Sequence, residues 1–177
     1  MVEDRVQMYC GSGAGRSAAA VGQGVRYACS GKSVYIVCFL KGKASLEYQY
    51  LQRLEPEIKL FCFDKFDSRY RDLNEEEQQE ERIHVKNGLQ YARKVASNAE
   101  CDVLILDEVL DLVALDIIRV EELIDLIRSA DEGIHLILTG KERCERVWPY
   151  VDRVTEISTL KQSQDSEQSC MDEKACL

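Results

Sequence analysis

The sequence predicts a three-layer α/β fold with a mainly parallel central sheet. Short apolar runs alternate with helical patterns along most of the chain, the order that builds parallel strands joined by crossover helices. The first run ends in a turn with glycine at alternate positions, Gly11, Gly13 and Gly15, and then opens into an alanine-rich helix. Polar groups recur where later apolar runs end, and open α/β sheets bind ligands beyond the carboxyl ends of their strands.

Taken in order, Val6 to Cys10 is the first strand. A helix follows from Arg16 or Ser17, with Ala18, Val21, Val25 and Ala28 as its packing face and Gly31 as its stop. Ser33 to Leu40 is nearly all apolar, as a strand covered on both faces should be, and Lys41-Gly42-Lys43 leaves its end. Ala44 to Leu54 reads as a helix with Leu46, Tyr50, Leu51 and Leu54 on one side, broken by Pro56. Ile58 to Phe63 is the third strand. Asp64 to Leu73 reads as a loop; Phe63, Phe66 and Tyr70 fit either the core or, from their position among charges, a mobile flap, and the flap is the reading taken. Asn74 caps a long helix that reaches about Ala99, with acids in its first turn and Ile83, Leu89, Tyr91, Ala92 and Val95 as its buried stripe. Asp102 to Glu108 is the fourth strand and Val120 to Ala130 an amphipathic helix. His135 to Gly140 is the fifth strand with its closing turn, Glu142 to Tyr150 a short helix, and Arg153 to Ile157 an edge strand. On this reading residues 1–160 form one domain. Residues 161–177 are a polar tail too poor in apolar side chains to order itself.

The net charge of −9, with runs such as Glu75-Glu76-Glu77, argues against nucleic-acid or anionic-membrane binding as the main activity. No apolar run approaches the ~20 residues of a membrane span. The start carries Glu3 and Asp4 and no signal-peptide core, so a cytoplasmic protein is expected. Of eight cysteines, Cys10, Cys38, Cys62 and Cys101 sit in or beside apolar runs and read as small buried hydrophobes. No C-x-x-C spacing suggests zinc or redox chemistry. His84 and His135 read as structural.

The chemistry concentrates at the glycine turn. Glycines let the backbone fold tightly with its N–H groups turned inward, and the helix that follows adds unpaired N–H groups and the positive end of its dipole. That is a nest for phosphate, the pattern of a P-loop NTPase-like fold. Gly11, Ser12, Gly13, Ala14, Gly15, Arg16, Ser17 and Ala18 would line it, with the Arg16 charge on phosphate oxygens and the Ser17 hydroxyl on magnesium. The full motif has four residues between its first glycine and the Gly-Lys pair; here there are three, and Arg16 replaces the lysine. The bland alternative is a strand-to-helix turn that simply needs glycine. Asp107 and Glu108, at the tip of an apolar strand, suit a Mg2+ ion held on the phosphates; a helix cap or surface charge is the plain alternative. Thr139-Gly140 reads either as part of the nucleotide site or as an ordinary turn.

The residues Gly11-x-Gly13-x-Gly15-Arg16-Ser17, Phe39-Leu40-Lys41-Gly42, Leu106-Asp107-Glu108, Val113-Ala114-x-Asp116, Glu121-Glu122, Thr139-Gly140 and Asp152-x-Val154-x-Glu156 follow one another in an order with specific spacing. In this the chain resembles the P-loop-type ATP:corrinoid adenosyltransferases, which act on cob(I)yrinic acid a,c-diamide or cob(I)alamin. The resemblance runs from about Val6 to Lys161. It implies transfer of the adenosyl group of ATP to Co(I) of a reduced corrinoid, with release of triphosphate. It implies catalytic roles for Arg16 and Glu108, and Lys41 and Phe66 on the corrinoid side. It further implies a homodimer and a flavoprotein as electron source. The chain departs from the family pattern at Ala14, Arg16, Ala18, Ser68, Leu110, Asp111 and Glu142, and lacks the histidine segment expected at Gln162-Ser163. Two other functions fit the same fold: a non-catalytic nucleotide- or corrinoid-binding protein, and a kinase-like enzyme for which no acceptor residues stand out.

Overall fold

A computed structural model of the chain describes residues 4–40 and 51–161. Lys41, most of the expected helix from Ala44, and the tail from Ser163 lie outside the described residues. The strands are β1 (Val6–Cys10), β2 (Val34–Cys38), β3 (Ile58–Cys62), β4 (Val103–Asp107), β5 (His135–Thr139) and β6 (Arg153–Glu156). They form one six-stranded sheet in the order β3-β2-β4-β5-β1-β6, and every pairing is parallel. The helices are α1 (Arg16–Cys29), α2 (Glu75–Ser97), α3 (Val109–Ala114) and α4 (Val120–Ser129).

Alternate strand residues feed two cores, because successive side chains leave a strand on opposite faces. Met8, Leu104, Leu106, Leu136 and Leu138 pack with Val85 and Leu89 of α2, Leu112 of α3 and Leu123 of α4. Tyr9, Ile36, Ile105 and Ile137 pack with Ala20 and Tyr27 of α1. The three layers and the expected strands are therefore present. The α1 face differs in part from the expectation: Val21 and Ala28 pack against this core as expected, but Ala20, Gly24 and Tyr27 are the buried residues, and Ala18 and Val25 are exposed, Val25 by 39%. Gly24 decides this. A Cβ there would stand 3.0 Å from Ile105 Cδ1 and 3.3 Å from Val34 Cγ1, so the bare glycine lets the helix seat on the sheet by that side.

Helix α2 begins where Asn74 predicts. The Asn74 side chain accepts from the Glu77 N–H at 2.9 Å, and Glu77 accepts from the Asn74 N–H at 3.0 Å. Its buried stripe is Glu81, Val85, Gly88, Leu89, Ala92, Val95 and Ala96, which leaves Ile83 57% exposed, against expectation. The 3.6-residue period starting from Val85 fixes that stripe, and Ile83 falls on the opposite side.

Phe63, Phe66 and Tyr70 are not a flap. Tyr70 is buried, and Phe63 and Phe66 pack against the main core. A Cβ at Gly88 would come within 2.6 Å of Phe63 Cγ, so α2 carries glycine where that ring lies on it. Leu54, expected inside a helix face, is 40% exposed and ends a short 3-10 turn, Gln52–Leu54. The helix expected from Glu142 is a 3-10 turn over Glu145–Tyr150, and α3 was not legible in the sequence. Cys10, Cys38 and Cys101 are buried as expected, and burial pushes the Cys101 thiol up to about 12. Cys62 is exposed, because β3 is an edge strand. Among the described residues no helix is long and apolar enough to cross a membrane.

Glu81 is a charged side chain inside the main core, 3% exposed. Its carboxylate accepts from the Lys65 N–H at 2.9 Å and the Phe66 N–H at 3.3 Å, and so pins the loop after β3 onto α2. Burial pushes its carboxyl up from 4.5, against the lowering pull of those two amides. Between the ordinary and the raised value the folded chain keeps a proton that the unfolded chain has released, so stability falls as pH rises through that window. Glu81→Gln removes the titration. The unfolding free energy of wild type minus that of Glu81→Gln should therefore decline from below pH 4.5 towards neutrality, then level off. A difference that rises with pH in urea titrations would show that the carboxylate is net stabilised instead.

Candidate active site

The strands all point their carboxyl ends to one side, and the polar residues of the sequence gather there. The glycine turn after β1 is built against the chain that follows β5 and β6. The Gly11 N–H donates to the Lys141 carbonyl at 3.1 Å and the Gly13 N–H to the Ile157 carbonyl at 2.9 Å. A Cβ on Gly11 would lie 2.5 Å from the Ile157 oxygen, and one on Gly13 2.9 Å from it. Gly11 and Gly15 have φ of +110° and +114°, a backbone that L side chains avoid. Glycine is thus required twice over, by conformation and by close approach. Two of the loop amides are spent on the protein itself, and the amides of the helix start come before the first helical bond, from the Ala19 N–H to the Gly15 carbonyl.

Arg16 does not simply reach outward. Its Nη1 donates to the Gly11 carbonyl at 2.7 Å and the Gly13 carbonyl at 2.6 Å. Its Nη2 stands 3.8 Å from Glu108 Oε1. The guanidinium therefore braces the loop from inside while its charge borders the cavity beyond.

At the end of β4, Asp107 is buried and accepts from the Thr139 hydroxyl at 2.6 Å. The Thr139 oxygen in turn accepts from the Glu108 N–H at 2.9 Å. This places Glu108 at φ +66°, a conformation rare outside glycine and found where a site imposes it. Glu108 starts α3 and turns its carboxylate towards Arg16. Of the two acids, Glu108 borders the cavity, and Asp107 lies beneath it with an oxygen engaged by Thr139. Thr139 and Gly140 are buried too. The Gly140 N–H donates to the Tyr9 carbonyl, and a Cβ there would meet Leu110 Cβ at 2.5 Å.

The cavity has a volume of about 650 Å³. Arg16, Leu40, Glu108 and Lys141 line it from the strand ends, and Arg69 and Arg71 from the turn before α2. Ser12, Ala14 and Ala18 are exposed along the loop, with Ser17 half-buried in the first turn of α1. Phe66 is half-buried and is not among the residues that border this cavity: it packs against the main core, with the Lys65 ammonium 5.3 Å from its ring centre. Lys141, Arg69 and Arg71 were missed by sequence reasoning. Lys141 directly follows Thr139-Gly140 at a strand end, which was a usable signal; the two arginines lie in a loop whose path the sequence does not give. Asp111 accepts from the Lys141 N–H at 2.9 and 3.0 Å, so it holds that turn in place.

Among the described residues no group of three or more His, Cys, Asp or Glu side chains is placed to hold a metal ion. Glu108 and the Ser17 hydroxyl are a donor set that suits Mg2+ carried on phosphate oxygens, since Mg2+ takes one or two protein ligands beside phosphate and water.

The family model for ATP:corrinoid adenosyltransferase BtuR/CobO/CobP matches residues 3–172. The corrinoid adenosyltransferase of Escherichia coli (strain K12) is 25% identical over 159 residues, 90% of this chain and 79% of that protein. The corrinoid adenosyltransferase CobA of Salmonella typhimurium (strain LT2) is 26% identical over 159 residues with the same coverage. The family match takes in every strand and helix described above, and with it the chain belongs to the ATP:corrinoid adenosyltransferase family.

Proposed function

We propose that the protein transfers the 5′-deoxyadenosyl group of ATP to the Co(I) centre of a reduced corrinoid. The observation that carries this reading is one cavity bordered by Arg16, from the glycine turn, and by Glu108, from the acidic end of β4. In the reaction the Co(I) electron pair attacks C5′, the cobalt–carbon bond forms, and the C5′–O bond breaks with its electrons on the departing triphosphate. Cobalt is formally oxidised to Co(III), so no outside oxidant is needed. Charge develops on the leaving group, and preorganised positive groups there lower the barrier more than groups that only bind ATP. Arg16 is that group in this chain. The first-turn amides of α1, including those of Ser17 and Ala18, hold phosphate, and Gly11 to Gly15 shape the turn. Magnesium on the triphosphate, held by Ser17 and Glu108, would neutralise further negative charge. The fuller reading adds a cytoplasmic homodimer supplied with electrons by a flavoprotein, with Lys41 and Phe66 on the corrinoid side.

Single-turnover formation of adenosylcorrinoid from reduced corrinoid and MgATP tests the reading. Wild type should give product. Arg16→Ala should slow it by ~10²-fold, the scale of losing one preorganised donor. Arg16→Lys keeps charge and should retain most of the rate. Full activity in Arg16→Ala would remove Arg16 from the mechanism. No product from wild type, with ATP bound, would turn the assignment towards a binding protein.

The hydroxyl of Thr139 generates a second expectation. Thr139→Val keeps the shape but deprives the buried Asp107 oxygen and the Glu108 N–H of their shared partner. Unsatisfied buried groups cost about 1–3 kcal/mol each. The variant should melt several degrees lower and lose turnover more than ATP affinity, because Glu108 is no longer fixed against Arg16. Unchanged melting and unchanged turnover together would show the relay to be incidental.

A further inference from the structure

Arg69 and Arg71 flank a buried residue. Tyr70 is 8% exposed, and its hydroxyl accepts from Arg82 Nε at 2.6 Å. Leu73 is also buried, and the 3-10 turn Tyr70–Asp72 closes through Asp72 N–H to the Arg69 carbonyl at 2.9 Å. The Asn74–Glu77 capping pair then fixes the start of α2. The turn is thus pinned from below by Tyr70 and from behind by α2, and both arginines are exposed on the cavity wall. Neither side chain makes a hydrogen bond or ion pair among the described residues. Several other exposed arginines take up carboxylates: Arg143 with Glu156, Arg146 with Glu121, Arg153 with Asp4.

Asp72, Asp111 and Glu142 also border the cavity, but among the described residues none of them makes an ion pair with Arg69 or Arg71. Asp111 is engaged by the Lys141 N–H, and Glu108 faces Arg16. The turn follows β3, separated from β1 by β2, β4 and β5. Arg16 comes to the cavity from the glycine turn after β1, and Arg69 and Arg71 come to it from this separate turn before α2. Guanidinium groups a residue apart on a fixed turn match oxyanions bidentately.

We propose that Arg69 and Arg71 are specificity residues that select a corrinoid by an anionic group on its periphery, a side-chain carboxylate or a phosphodiester. This rests on the corrinoid reading above, and its test is separable from the test of that reading. The probes are three Co(II) corrinoids titrated against the full chain with ATP present, followed by absorbance. Cobyrinic acid a,c-diamide keeps free carboxylates; cobalamin carries a phosphodiester; cobinamide has amide side chains and no phosphate. Wild type should bind at least one of the first two about tenfold tighter than cobinamide, the scale of two exposed ion pairs. A preference for the diamide alone assigns the carboxylate, and one for cobalamin alone the phosphodiester. The preference should shrink in 0.5 M salt. Arg69→Gln/Arg71→Gln should abolish it, leaving cobinamide binding, ATP affinity and melting temperature unchanged, and the Lys/Lys variant should restore part of it. Equal binding of all three by wild type overturns the proposal. So does a loss of ATP affinity in the Gln/Gln variant with the corrinoid ranking intact, which would place the arginines on the triphosphate. If the ranking holds but Co(I) forms give no adenosylated product, selection stands and the catalytic reading falls.

Discussion

The hydroxyl of Thr139 carries the site. It is fully buried, donates to Asp107 and accepts from the Glu108 N–H, so one side chain ties the end of β4 to the end of β5. That tie, with the bond from the Asp111 N–H to the Glu108 carbonyl, supports Glu108 in a left-handed backbone with its carboxylate towards Arg16. The parallel sheet supplies the rest. β5 lies between β4 and β1, so the acidic strand end and the glycine turn are each one strand away from Thr139. The glycine turn, the acidic end and the threonine are far apart in sequence and adjacent only because the strands line up in this order.

Bracing and the proposed catalytic role place opposite demands on Arg16. Its Nη1 satisfies two glycine carbonyls that would otherwise point into an empty loop, which fixes the turn before any ligand arrives. The same guanidinium stays close enough to Glu108 for attraction without a direct hydrogen bond. A planar group with several donors can serve both the loop wall and the cavity at once, which a single ammonium does less readily.

The strands were legible in the sequence because buried parallel strands read as unbroken apolar runs, and the Asn74 cap because its partner Glu77 stands three residues on. The glycine turn, Arg16 and Glu108 were legible for the same local reason: each is defined by its own strand end. What escaped depends on distant contacts. The packing side of α1 is set by Gly24 against Ile105 and Val34, not by the larger Val25. The aromatics after β3 look mobile among charges, yet Gly88 leaves room on α2 for Phe63 to pack. Asp107 and Glu108 are equivalent as letters; only the Thr139 hydroxyl separates the buried one from the one at the cavity. Lys141, Arg69 and Arg71 reach the cavity through turns whose course is tertiary.

The seal between the glycine turn and Ile157 has a consequence for how the chain is made. Gly13 finds its hydrogen-bond partner, and Gly11 its backing wall, in a residue more than a hundred positions later. Contacts of such high sequence separation form late, after shorter closures have paid down the chain entropy. During synthesis the turn leaves the ribosome more than a hundred residues ahead of β6 and stays without its rear wall until β6 has emerged. The wall of the glycine turn is thus begun early and finished late, and a nascent chain halted before Ile157 cannot yet hold the loop in its final shape.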